Sequence, residues 1–437
     1  MIRNQGIPIM IWTIAISAIS FFNPICAQKS HSAGKPGKSN PTQADTVTLE
    51  KWMKIHPAEF GAILANSDSL RIQIIYTQID RDEHDYNKPV FKDFYYHLNE
   101  RNYFYPASTV KMPVAFLALK KLHELHLQGL DRNSTMITDS AYEGQSRVFN
   151  DPTSEDGRPS IGQYIKKIFL VSDNEAFNRL YEFLGQEYIN KNLEELGCPE
   201  AEIRHRLQIS LSLDENAHTN PVFFYDPSGK TIYCQGPVIS RQPFSYRHDS
   251  VGQAFFQDGK LVNRPMDFSF KNRISLNSLH RILRSVIFPD AVIPANPFGL
   301  IPDDYRFLYQ YMSEYPSEST NPSYDTFFNR DAYCKFLYWG SDTGRLPKTI
   351  RIFNKVGDAY GFLTDICYFA DFTNHVEFML SATIYCNRDG VLNDDKYDYD
   401  SVGYPFLKKL GRLIYQQELK RKKSHIPDLS AFQLDYH

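Results

Sequence analysis

The strand-like runs of this chain fall in two widely separated groups, and that separation limits the folds open to it. Arg71 to Ile79 and Val90 to Leu98 are rich in β-branched and aromatic residues and flank the polar turn Asp80 to Asp85. Three further runs, Thr349 to Val356, Phe362 to Ala370 and His375 to Tyr385, come only near the C-terminus. Helical spacing over Val47 to Leu64 precedes the first pair, and Phe406 to Leu419 follows the last trio. Strands divided in this way pack most simply into one sheet covered by the terminal helices. The residues between them then form a second lobe. The predicted class is α+β: a five-stranded antiparallel sheet flanked by terminal helices, with a large, mostly helical insertion over about residues 111–345.

The insertion has its own internal order. Lys111 to Leu125 places Val114, Leu117, Ala118 and Leu122 on one face, and helical spacing returns over Ile161 to Leu170, Ala176 to Leu184 and Glu187 to Leu196. Gly185 and Gly197 act as stops, and Leu276 to Ile287 is a further helix. Residues 220–270 differ, being rich in Pro, Gly, Tyr and Phe. There Val222 to Tyr225, the turn Asp226-Pro227-Ser228-Gly229 and Thr231 to Tyr233 predict a hairpin. No internal repeat is visible.

A chain of 437 residues with 42% hydrophobic content can bury a large core, and its Tyr and Phe side chains are read as core first. A net charge of −3 gives no electrostatic case for nucleic acid or for an anionic membrane surface. The basic run Lys420 to Lys423 reads as a solvated helix end. At the N-terminus Arg3, an apolar stretch from Ile7 to Phe22, and Ile25-Cys26-Ala27 after Asn23-Pro24 have the layout of a secretory signal. Cleavage is expected after Ala27, with the protein exported to a periplasmic or extracellular space. Cys26 raises a lipid-anchored alternative, for which Ile25 is a poor neighbour. The expected organisation is a leader over 1–27, a flexible linker over 28–46, a catalytic domain over 47–420 and a tail over 421–437. Cys198, Cys234, Cys334, Cys367 and Cys386 form neither a disulfide framework nor a zinc pattern, so no metal or other cofactor is expected.

Three short motifs carry the chemistry. Ser108 and Lys111 stand three apart at a helix start, where their side chains share a face. A serine hydroxyl needs an adjacent base, and a lysine serves when burial disfavours its ammonium form. Ser172-Asp173-Asn174 lies between two predicted helices, where it also reads as an N-cap cluster. Lys355-Val356-Gly357 ends a strand. Singly, each has an ordinary structural explanation.

In this order and setting they resemble the Ser-x-x-Lys, Ser-Asp-Asn and Lys-Thr-Gly set of class A β-lactamases and penicillin-binding proteins. The resemblance runs over roughly Val47 to Leu419 and takes in Ser160 to Ile165, Val171 to Asn178, Tyr360-Gly361 and Thr364 to Ile366. It implies that Ser108 attacks a carbonyl and Lys111 accepts its proton. Ser172 would relay a proton to the leaving nitrogen, and Asn174 would hold the substrate amide. Lys355 would tune Ser172, while the backbone N–H groups of Ser108 and Asp358, beside Gly357, would receive the oxyanion.

Three positions depart from that pattern. Val356 replaces a hydroxyl residue, and Leu363 stands where an arginine is expected, which removes two contacts to a substrate carboxylate. Arg330 and Lys348 are the cations that would substitute from another loop. No glutamate carries the family's deacylating context; of Glu202, Asp214 and Glu215, Glu215 is the nearest candidate for the base. The implied function is opening of β-lactam amides through an acyl-enzyme on Ser108. The alternatives are a D-alanyl-D-alanine peptidase-type or other envelope amide or ester hydrolase, and a non-hydrolysing penicillin-binding or sensor domain. The expected partner is a small β-lactam or peptidoglycan-like molecule bound by a monomer, with membrane contact only through the leader or a lipid anchor.

Overall fold

The segment before Pro57 shows how local chemistry sets the elements. The computed structural model describes residues 43–82, 84 and 88–436, and the expected leader, with most of the expected linker, lies outside them. Helical spacing over 47–64 resolves into two helices, α1 (Gln43–Lys54) and α2 (Pro57–Ala65). His56, held at φ −119° and ψ 61° before a proline, cannot stay helical, while Pro57 is well suited to open the next helix.

The two early strands are β1 (Gln73–Arg81) and β2 (Pro89–Tyr96). The insertion begins with α3 (Lys111–Glu124) and β3 (Thr135–Thr138). Helices α4 (Ile161–Val171), α5 (Asn174–Leu184), α6 (Gln186–Glu195) and the short α7 (Leu213–Ala217) follow. The predicted hairpin is present as β4 (Val222–Tyr225) and β5 (Thr231–Gln235), and β4 also pairs with β3. Next come α8 (Leu276–Ile287) and α9 (Pro302–Ser313), the latter a helix that periodicity alone does not assign. The late strands are β6 (Ile350–Ala359), β7 (Phe362–Asp371) and β8 (Val376–Tyr385), followed by α10 (Tyr404–Lys420).

All five long strands join one antiparallel sheet in the order β6-β7-β8-β1-β2. The late trio is thus extended by the early pair, through β8 and β1, with Ile75 opposite Ser381. The expected α+β arrangement, a five-stranded antiparallel sheet with terminal helices and a helical insertion, is the observed one. Side chains alternate across the sheet. Ile74, Tyr76, Ile352 and Leu380 pack with Phe60, Phe406 and Leu410 from the terminal helices. Ile75, Phe353, Ile366 and Met379 face the other way, into the core shared with α3, α4, α5 and α8. Strands β7 and β8 are buried along their whole length because both sheet faces are covered.

The C-terminal stretch is more than a tail. Leu429 and Phe432 are buried, and Phe432 packs its ring against Phe288, Tyr309, Phe353 and Tyr368. The Tyr436 ring centroid lies 3.5 Å from the buried Arg351 guanidinium. Apolar and aromatic residues spaced through 429–436 give this segment enough area to fold back onto the core.

Among the described residues no helix is long and apolar enough to cross a membrane. The cysteines at 198, 234, 334, 367 and 386 are free, and Cys367 and Cys386 are core residues as expected.

Candidate active site

Strand β6 lies at one edge of the sheet, and its outer edge meets the turn that leads into α3. That turn, the 3-10 segment Ala107–Val110, carries Ser108, and Lys111 begins the helix directly after it. Ala107 is held at φ 45°, a left-handed conformation that costs a residue with a side chain roughly 1–3 kcal/mol. The turn is tied by Thr109, whose N–H and hydroxyl both donate to the Pro106 carbonyl, at 3.0 and 2.7 Å. Gly357 of β6 presses against it so closely that a Cβ there would sit 2.6 Å from the Pro106 oxygen and 3.0 Å from the Ser108 nitrogen. Glycine is required at 357 by this approach.

Lys111 is fully buried. Its Nζ donates to the Ser172 carbonyl, to Asn174 Oδ1 at 2.7 Å and to Ser172 Oγ at 3.3 Å. Burial holds its pKa well below the usual lysine value, and the nearby Lys355 lowers it further. That shift favours the neutral amine, the form in which a lysine can act as a base.

The Ser-Asp-Asn segment does two jobs at once. Helix α4 ends at Val171, and Ser172 takes a left-handed conformation, φ 60° and ψ 38°, as its C-cap. Asp173 then caps α5, its carboxylate accepting from the Ala176 N–H at 2.8 Å. The capping explanation therefore holds for Asp173, while the chain reversal sends Ser172 and Asn174 towards the lysines. Asn174 Nδ2 also donates to Gln208 Oε1 at 2.5 Å, which fixes the amide from its far side.

Lys355 arrives from β6, on the sheet face that meets the helical lobe. Its Nζ donates to Ser172 Oγ at 2.7 Å and to the Val356 carbonyl at 2.8 Å. Burial brings its pKa down to about 8, against the opposing pull of Cys334, Asp358 and Asp365. Ser172 Oγ thus accepts from a lysine on either side, which leaves its own proton free to be directed into the cleft.

Ser108, Ser172, Asn174 and Asp358 line one cleft of about 770 Å³, a size suited to a small molecule, with Lys111 and Lys355 buried behind them. Asp358 is itself part of the cleft lining. The surrounding protein raises its carboxyl pKa, and Lys355 and Lys111 pull it back.

The expected base is elsewhere. Glu215 accepts from the Ser212 N–H, and Ser212 Oγ accepts from the Glu215 N–H, a capping box that opens α7. Its side chain points to a small surface recess beside Gly144 and Arg206, away from Ser108. The sequence Ser212-Leu213-Asp214-Glu215 is itself a capping-box signal. Of the two substitute cations, Lys348 sits by Glu318 at 4.0 Å, whereas Arg330 lines the cleft. Leu363 and Val356 are both buried in the core on the terminal-helix face of the sheet, the face opposite Lys355, and Val356 borders the cleft. Periodicity does not reveal the aromatic part of the cleft lining, Phe327, Phe328, Tyr333 and Tyr404. The aromatic density of 327–339 is its only trace in the sequence.

The family model described as "Beta-lactamase enzyme family" matches residues 62–232, the stretch that holds Ser108, Lys111, Ser172 and Asn174. That match spans less than half of the chain. Lys355 lies beyond the matched residues and is brought to them by pairing of β6 within the sheet. Solved structures similar to this chain include a β-lactamase from Sphaerobacter thermophilus, 11% identical, covering 84% of this chain and 99% of that one at a TM-score of 0.44. A class A β-lactamase from Clostridium kluyveri is 15% identical, covering 83% and 98% at 0.45. PBP-A is 13% identical, covering 86% and 97% at 0.45. No curated protein matches the chain. At such identities the roles of individual residues in this chain are argued from its own geometry.

Proposed function

We propose that this β-lactamase-like serine hydrolase is exported and opens β-lactam amide bonds through an acyl-enzyme on Ser108. The observation that carries the reading is the buried Lys111 amine, held against Ser172 and Asn174 one turn from Ser108 and depressed in pKa by its surroundings. Lys111 takes the Ser108 proton as Oγ attacks the carbonyl carbon. The N–H groups of Ser108 and Asp358 receive the developing oxyanion, and loss of one such donor typically costs about 10²–10³ in rate. As the carbon–nitrogen bond breaks, Ser172 passes its proton to the leaving nitrogen and is resupplied from Lys111. The Lys355 ammonium steadies the negative charge that builds on Ser172 Oγ during that transfer. Water then releases the acyl group and regenerates Ser108.

One observation favours a slower relative of this reaction, with an envelope peptidase or penicillin-binding role. Glu215 is committed to its cap, and among the described residues no carboxylate is hydrogen-bonded to Ser108, Lys111 or Ser172. Acylation then outpaces hydrolysis. Stopped-flow hydrolysis of a chromogenic cephalosporin separates the two readings. Steady turnover that Ser108→Ala abolishes supports the β-lactamase, and a single stoichiometric burst supports the slow acyl-enzyme. No burst and no turnover rejects both.

A further inference from the structure

A second cavity, a groove of about 650 Å³, lies along α10. Lys408, Lys409, Arg412 and Lys420 line it, because positions four apart on a helix share one face. Its carboxylates are Glu59 and Asp342, and Asp342 is paired with Lys408 and, at 3.6 Å, with Arg412. Lys409 and Lys420 take part in no ion pair among the described residues. His56 brings the start of α2 to the same groove without a capping side-chain hydrogen bond, so the positive end of that helix adds to the field. Ser341, Asp342 and Tyr404 line both this groove and the Ser108 cleft, which makes the two adjoin. The sign of the charge changes at that border. In the cleft Asp173, Glu175, Asp358 and Asp400 outnumber Arg330, whereas in the groove the cations outnumber the carboxylates.

We propose that this groove binds an anionic chain, one bearing repeated carboxylates or phosphates, and seats the stem of an extended substrate whose reactive carbonyl reaches Ser108. The inference rests on the acylation reading for the reaction at Ser108, while the groove's charge and position do not depend on it. Lysine ammonium groups are point charges on flexible stems and accept anions at varied angles, which suits a chain more than a single rigid group. From Lys409 to Lys420 the helix rises about 16 Å, a length that five or six residues of extended chain cover. Each contact is modest and salt-sensitive because these side chains meet solvent, so affinity comes from several acting together. At the border a bound anion competes with Asp342 for Lys408 and Arg412. A chain held there raises the effective concentration of its acyl end at Ser108.

The test is fluorescence anisotropy at low salt with labelled hexaglutamate, a labelled six-unit polyphosphate and labelled hexaglutamine. The full chain is expected to bind at least one of the anionic probes and not hexaglutamine, and which anion binds more tightly separates a carboxylate chain from a phosphate chain. Lys409→Gln/Lys420→Gln should weaken that binding about fivefold. Lys230→Gln/Lys260→Gln, which removes the same charge from exposed positions outside the groove, should leave it unchanged. No binding of either anion, or equal weakening in the two double variants, overturns the proposal. The link to Ser108 is read from acylation by activated esters that carry a hexaglutamate or a hexaglutamine tail, with a six-unit polyphosphate tail added if that probe bound more tightly. The ester with the preferred anionic tail should react about fivefold faster, and the groove variant should lose this preference while its rate with a chromogenic cephalosporin stays at the parent value. Equal rates for anionic and uncharged tails reject the groove as a substrate site. Groove-dependent binding without a Ser108 adduct from any ester rejects the acylation reading, and with it the substrate role but not the anion site.

Discussion

Lys355 Nζ lies 2.7 Å from Ser172 Oγ, across the join between a sheet-edge strand and the loop that links α4 to α5. Lys111 Nζ approaches the same hydroxyl at 3.3 Å from the helix that follows Ser108. Two buried amines sharing one hydroxyl cannot both be comfortable as cations. Burial and their mutual repulsion favour a state with one neutral and one charged. Lys111 is the more depressed of the two, with Lys355 close beside it. On the proposed mechanism that division gives the base to Lys111 and the electrostatic role to Lys355.

The pH dependence of acylation follows from that division. Acylation should rise as Lys111 loses its proton, below the ordinary lysine range, and fall again as Lys355 deprotonates near pH 8. The two limbs belong to the coupled pair, and a pH series of acylation rate constants should be bell-shaped. Lys355→Met should lower the maximum and remove the alkaline limb. Rates that climb steadily through pH 9 would contradict the assignment.

Stability should move in the opposite direction at position 111. Lys111 has a lower pKa folded than unfolded, so the unfolded chain binds the extra proton and stability rises with pH up to the unfolded lysine value near 10.4. Lys111→Met removes this penalty, which is largest at low pH. Thermal melting should show the variant stabilised by roughly a few degrees at pH 6, with the gain shrinking towards pH 10. Its acylation should be lost at every pH.

Gly357→Ala tests the close approach of β6 to the nucleophile turn. The added methyl group meets backbone at 2.6 Å, which cannot be relieved by a side-chain rotation. A cost of about 1–3 kcal/mol in stability is expected. Displacement of Ser108 should reduce acylation by about 10²-fold. Chemical denaturation and adduct kinetics on one preparation would report both, and a variant acylating at the parent rate would refute the packing argument.

Glu215→Ala should leave deacylation within about twofold of the parent while lowering the melting temperature slightly through loss of the α7 cap. A collapse of deacylation in this variant would reinstate Glu215 as the base.

Much of this arrangement is legible from residue order. The five strands, helices α3 to α6 and the hairpin at 222–235 follow from periodicity and turn chemistry, because each buries one face against a single neighbour layer. Ser108, Lys111, Ser172, Asn174 and Lys355 converge as their motif order predicts. Two kinds of information were not local. Glu215 carries the Asp-Glu-Asn context of a candidate base, yet its backbone partners make it a cap. Arg330 and its aromatic neighbours lie in a segment with little regular structure, so no period points to the cleft they line. Only the fold brings 327–334 to a cleft that residues of β6 and α5 also line.

The most direct test of the central claim is intact-mass analysis of the wild-type protein after incubation with benzylpenicillin, followed by peptide mapping of the adduct. The account predicts a gain of one benzylpenicillin mass, carried on the peptide containing Ser108 and absent from Ser108→Ala. An unmodified wild-type protein, or an adduct mapped to any other residue, would contradict it.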